Sequence, residues 1–164
     1  MKKEDKYIAR IQFKLKVLQS KGQTFEDFFV SVMTKADENF QPVKAYGNIG
    51  DQKNDGFNKE MGIYYQVFAP EDITKDKTVY EAVKKLEQDF RGLYEKWNDT
   101  FKIKKYFFVV NDKYEGVNPI ITKKILDLNN EFAGIDIAIF LAKDLQREFE
   151  KLDEDDVQEL IGFI

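Results

Sequence analysis

Gly47-Asn48-Ile49-Gly50-Asp51-Gln52-Lys53-Asn54-Asp55-Gly56, followed by Ile63-Tyr64-Tyr65-Gln66-Val67-Phe68-Ala69-Pro70, is the part of the chain from which its architecture can be worked out. Residues 63–69 separate into two alternating sets, Ile63/Tyr65/Val67/Ala69 and Tyr64/Gln66/Phe68, the two-residue period of a strand that Pro70 then ends. Four of the nine glycines lie between Gly47 and Gly62, so this segment is predicted to hold turns between short strands. Asn54-Asp55-Gly56 is in itself a hairpin-turn signature.

Helical periodicity surrounds this segment. Upstream, Ile8, Ile11, Leu15 and Leu18 recur at spacings of three and four, predicting a helix over 5–19 with that stripe facing the core. Thr24 with Asp27 three residues on, then Phe25, Phe28, Phe29, Val32 and Met33, predict a second helix. Downstream, Thr78 and Glu81 form a capping-box pattern ahead of Val79, Val83, Leu86, Phe90, Leu93 and Trp97, an amphipathic helix. Tyr106-Phe107-Phe108-Val109-Val110 reads as a strand buried on both faces. Asn118-Pro119 starts the next helix as cap and first residue, and Gly134 ends it. Residues 135–142 form a further strand, and a terminal helix carries Val157, Leu160, Ile161 and Ile164. The order α-α-β-β-β-α-β-α-β-α predicts an α/β fold, a mixed central sheet flanked by helices on both faces.

Composition bounds the chemistry. The 164 residues suit one domain, and 43% apolar content is enough for a core. The absence of histidine and cysteine excludes His- or Cys-ligated zinc, cysteine nucleophiles, Ser-His triads, iron–sulfur clusters and disulfides. Oxygen ligands remain, and these suit magnesium, manganese or calcium. The longest apolar run, residues 137–142, is too short for a bilayer, and Glu4 and Asp5 interrupt any leader-like start. A soluble cytoplasmic protein without a membrane partner is expected. A net charge of −4 gives no global attraction to nucleic acid, though a local patch or bound cation can reverse the sign at a site.

Within the glycine-rich segment, Asp51-x-Lys53-x-Asp55-Gly56 begins like a calcium loop, but a lysine occupies a ligand position and the twelfth residue is Gly62 rather than glutamate. Neither nucleotide-loop fingerprint, G-x-x-x-x-G-K-[ST] or G-x-G-x-x-G, is present. The pattern instead resembles the PD-(D/E)xK nuclease superfamily, particularly Mrr-type restriction endonucleases. Those enzymes place a helix glutamate after an aromatic (Phe25-Glu26), then a glycine-rich turn ending in Asp-Gly (Asp55-Gly56), and about ten residues later [E/Q]-x-K on the next strand (Gln66-Val67-Phe68). The match spans residues 24–110 and leaves 118–164 as a C-terminal α-β-α extension.

The resemblance implies a restriction-endonuclease-like fold and a Mg²⁺- or Mn²⁺-dependent DNA endonuclease module of the kind found in bacterial defence systems. Asp55, Gln66 and Glu26, with the Val67 carbonyl, would then hold the metal. Strand spacing puts Gln66 and residue 68 on one face, where a lysine would stabilise charge developing at the phosphate. Here that residue is Phe68. Losing such a charge lowers the rate on the order of 10²–10³-fold. Lys53, two residues before Asp55, is either a substitute for it or a solvated loop lysine. The alternative function is a catalytically degenerate nuclease-fold domain that binds nucleic acid or a partner protein.

Three further features bear on partners. Tyr64, Tyr65 and Phe68 either stack on bases or are core. Lys84-Lys85, Lys102/Lys104/Lys105 and Lys123-Lys124 either line a nucleic-acid groove or are solvated surface. The apolar face Val157/Leu160/Ile161 just before Ile164 predicts either a helix that docks a partner or the edge of an N-terminal module in a longer chain.

Overall fold

The computed structural model describes residues 1–43, 54–70 and 75–162. Six helices and five strands lie among these: α1 (Lys3–Gln19), α2 (Gly22–Ala36), β1 (Phe40–Pro42), β2 (Gly56–Asn58), β3 (Ile63–Phe68), α3 (Asp76–Trp97), β4 (Lys105–Val110), α4 (Pro119–Glu131), β5 (Asp136–Phe140), α5 (Ala142–Phe149) and α6 (Glu154–Ile161). The sheet order is β1-β2-β3-β4-β5. The first three strands are antiparallel neighbours, whereas β3, β4 and β5 run parallel and are joined through α3 and α4. The fold is therefore α/β with a mixed sheet, as the periodicities predict.

Strand alternation divides the core in two. Tyr65, Val67, Val109 and Phe140 face one way, into a layer with α1, α2, α5 and α6. Phe57, Tyr64, Phe108 and Val110 face the other, toward α3 and α4. The central strand β4 contributes to both layers, which explains its nearly continuous apolar run. The glycine at the head of α2 donates its N–H to the Ala69 carbonyl at 2.8 Å, so α2 begins at the carboxyl end of β3.

Several local expectations are corrected. Helix α1 forms, but buries Ala9, Phe13 and Val17 rather than the Ile8/Ile11/Leu15/Leu18 stripe. Phe13 decides this, because its ring stacks on Phe149 of α5 at 4.6 Å and meets Phe28 of α2 at 5.5 Å. Neither Thr24 nor Thr78 caps a helix. The helices start two residues earlier, after Lys21 and Lys75, leaving both threonines inside the first turn. Asn118 does cap α4, its side chain accepting the Ile120 N–H at 2.9 Å ahead of Pro119.

The expected single terminal helix is two. Asp153 interrupts it by accepting the Asp156 N–H and starting α6 afresh. The α6 face Val157/Leu160/Ile161 is buried inside the chain in the layer with α1 and α2, so it is not the docking surface expected of it. No helix among the described residues is long and apolar enough to cross a membrane.

Candidate functional site

Asn54-Asp55-Gly56 is not the tip of the β2–β3 hairpin. That turn is Lys59-Glu60-Met61-Gly62, closed by Met61 N–H donating to Asn58 Oδ1 at 3.0 Å and by Gly62 at φ 66°. Gly56 is required for a different reason. A Cβ there would lie 2.2 Å from Cζ of Phe40, whose ring packs edge-on against Phe29 and Tyr65. The missing side chain leaves room for the Phe40 ring to lie across β2 at Gly56.

Asp55 ties three segments together. Its N–H donates to the Tyr65 carbonyl at 2.7 Å and its carbonyl accepts from Val43 N–H at 3.1 Å. Its side chain continues where the β2 ladder stops: Oδ2 accepts the Val67 N–H at 2.6 Å. A 4% exposed carboxylate is thereby held against the peptide that links Gln66 to Val67.

Gln66 sits on β3 between β2 and β4, in register with Phe108 and equally buried. Alternation places it on the α3/α4 side with Tyr64 and Phe68. Among the described residues, its Oε1 has no hydrogen-bond partner, and neither amide atom of the fully buried Asn54 has one. Each such atom costs about 1–3 kcal/mol when left unpaired, and folded proteins pair the great majority of them. Three in Asn54 and Gln66, the neighbours of Asp55 and of its Val67 contact, form a concentrated polar deficit inside an apolar sheet. Asn54 was outside the sequence-based site because its place in an Asn-Asp-Gly triplet read as turn chemistry; no signal in the sequence marked it as buried.

The other expected residues are distributed differently. Glu26 is half-buried on α2, whose start lies at the same end of β3, but α2 covers the sheet face opposite to the side chain of Gln66. It makes no hydrogen bond with Asp55 or Gln66. Val67 meets Asp55 through its N–H, not through the carbonyl expected to act as a ligand. Lys53 and Asp51 lie outside the described residues.

Phe68 stacks on Phe108 with centroids 5.9 Å apart. Tyr64 and Tyr65 are core: Tyr64 stacks on Phe57 and donates its hydroxyl to the Phe101 carbonyl, while Tyr65 stacks on Phe107. Burial pushes the Tyr64 phenol up to about 12 and that of Tyr65 higher still, with the Asp37 and Glu148 charges adding to the latter. Neither ring is presented to a base.

Lysines from each expected basic group are engaged at the surface. Lys85 pairs with Asp89 at 2.8 Å, Lys124 with Glu87 at 2.8 Å and Lys105 with Asp136 at 3.3 Å. Lys102, Lys104 and Lys105 also stand at the amino ends of the parallel strands, since Lys105 is in register with Ile63. Gln66 is three residues further along β3, toward the other end.

The oxygen donors at this point are a carboxylate and side-chain amides, hard groups suited to Mg²⁺ or Mn²⁺ and unsuited to softer metals. The unpaired Gln66 Oε1 is an oxygen with vacant coordinating capacity. Among the described residues, no three acidic side chains gather into a metal-holding group, so any ion held here depends on amide oxygen as well. Comparison with protein-family models, curated proteins and solved structures finds no match to this chain.

Proposed function

We propose that this chain is a PD-(D/E)xK-type module with a restriction-endonuclease-like sheet, acting as a Mg²⁺- or Mn²⁺-dependent DNA endonuclease. One observation carries the reading: the Asp55 carboxylate is held at the Gln66–Val67 peptide while, among the described residues, Gln66 Oε1 and the Asn54 amide lack partners. A divalent ion, when bound, supplies positive charge at the phosphate and lowers the pKa of an attacking water. Asp55 and Gln66 would hold that ion; Glu26, on the opposite sheet face, and Val67, which meets Asp55 through its N–H, are not among its donors. Lys53 stands in for the lysine that Phe68 replaces and neutralises charge at the phosphate. The Asp55 carboxylate is fixed by its hydrogen bond to the Val67 N–H before substrate arrives.

The test is cleavage of supercoiled plasmid with Mg²⁺ or Mn²⁺ by the wild-type chain, Asp55→Asn and Gln66→Leu. Cleavage by the wild type that both substitutions abolish is the expected result. Equal cleavage by all three, or none by the wild type, removes the enzyme reading.

The second reading is a degenerate module that binds nucleic acid or protein without cutting it. Phe68 favours it, because the ring packed on Phe108 leaves no charged group at that strand position. Plasmid retardation by the wild type without cleavage in either metal is its signature.

A further inference from the structure

Lys6 and Arg10 stand on the side of α1 that buries Ala9, Phe13 and Val17, since at about 100° per residue these five positions share roughly a third of the helix circumference. Opposite them is the turn from α5 to α6, and a groove of about 380 Å³ lies between. Its floor is apolar: Ala9, Phe149 and Val157 are buried there beside the half-buried Leu152. Its rim is charged.

Cations on the core side of a helix ordinarily meet an acid across the interface. Three acids do line this groove, but each is engaged elsewhere. Glu154 pairs with the Met1 amine at 3.7 Å, Asp153 accepts the Asp156 N–H at 2.9 Å, and Glu150 accepts from the Gln146 side-chain amide at 2.9 Å. Among the described residues, neither the Lys6 ammonium nor the Arg10 guanidinium has an ion pair or a side-chain hydrogen bond. Like charges one turn apart on a helix repel each other, and a shared anion removes that repulsion.

We infer that this groove binds a small monocarboxylate carrying an apolar chain. The Arg10 guanidinium takes the carboxylate through paired N–H donors, Lys6 adds a second cation one turn away, and the chain covers Phe149, Leu152 and Val157. The volume falls at the lower end of the range for small-molecule sites, about 300–1,000 Å³. The acids on the rim restrict the charge: a dianion such as a phosphate monoester faces three carboxylates, whereas a single carboxylate is matched by two cations. The site lies with α1, α5 and α6, on the sheet face opposite to Gln66, and does not depend on the nuclease reading.

Octanoate is the probe. Titration followed by amide NMR shifts should give saturable changes centred on residues 6–10 and 149–157, with Kd on the order of 0.1–1 mM. Octanamide, the same chain without the charge, should bind at least about tenfold more weakly. Octanoate should lose at least about tenfold in affinity for Arg10→Gln and for Lys6→Gln, both of which should keep the wild-type circular dichroism and melting. Hexanoate, two methylenes shorter, should bind at least about threefold more weakly. Octyl phosphate, doubly charged at about pH 8, should bind no more tightly than octanoate. The inference is overturned by the absence of saturable shifts up to about 10 mM octanoate, by equal affinity for octanamide, or by indifference to both substitutions. Shifts confined to Ile11, Leu15 and Leu18, on the outward side of α1, overturn it as well, and tighter binding of octyl phosphate overturns the choice of a monoanion.

Discussion

The Asp55 carboxylate and the Val67 main chain are joined by a 2.6 Å hydrogen bond across the β2–β3 pair, at the point where the backbone ladder between these strands has ended. Val67 N–H is buried and would otherwise lack that acceptor. The same side chain that the proposed chemistry uses is thus also a fastening of the sheet, and its two roles respond differently to substitution.

Replacing Asp55 by alanine removes a charged acceptor from a buried N–H, a loss of about 1.5–3 kcal/mol. Asp55→Asn keeps a carbonyl oxygen within reach and should retain most of that stability. Urea denaturation of both variants separates the fastening from the charge. An alanine variant unfolding at the wild-type midpoint would show that Val67 does not depend on Asp55.

Gln66 makes the opposite prediction. Its Oε1 is buried without a partner among the described residues, so Gln66→Leu exchanges an unsatisfied carbonyl oxygen for hydrocarbon in a side chain of similar size. The variant should be more stable by about 1 kcal/mol, which for a domain of this size raises Tm by about 2–4 °C. Any metal-dependent cleavage should vanish at the same time. Scanning calorimetry in metal-free buffer provides the measurement, and a lowered Tm would mean that Gln66 is simply structural.

The buried phenols set an alkaline limit. Tyr64 donates to the Phe101 carbonyl at 3.0 Å, and burial raises its pKa from 10.0 to about 12. A phenol that ionises later in the folded than in the unfolded chain contributes stability fully below pH 10. That contribution is lost as the pH climbs toward 12. Tyr65 and Tyr114 are shifted in the same direction by burial. Urea midpoints should stay level up to about pH 9 and fall steeply from about 10 to 12, less so in Tyr64→Phe. Phenolate absorbance from these residues should appear together with the loss of circular dichroism; its appearance in the folded state would contradict the assignment.

The parts of the fold that could be read in advance are those with a single dominant pattern. The two-residue period of 63–68, the unbroken apolar run of β4 and the Asn118-Pro119 start each admitted one structure. Where two patterns shared a segment, the sequence alone did not rank them. Asn54-Asp55-Gly56 satisfies a turn, yet the approach of Phe40 to Gly56 makes it a buried strand entry. At the candidate site, Asp55 and Gln66 could be named only through the resemblance to a nuclease motif in which Asp-Gly precedes [E/Q]-x-K. Asn54 could not, since only tertiary packing removes it from water. Helix α1 is the same problem on a larger scale: four aliphatics on one face outnumber the small set around Phe13. The choice depends on Phe28 and Phe149, which are 15 and 136 residues away.

That choice of face can be tested directly. Phe13 is fully buried between α2 and α5, so Phe13→Ala removes a ring from a packed aromatic cluster and should destabilise the monomer by about 3–5 kcal/mol. Leu15, two residues on, is nearly half exposed, and Leu15→Ala should change monomer stability by no more than about 0.5 kcal/mol. The contrast is measured by urea denaturation of the two variants beside the wild type. If α1 buried the stripe its periodicity first suggests, the two substitutions would exchange effects, with Leu15→Ala the severe one and Phe13→Ala nearly silent.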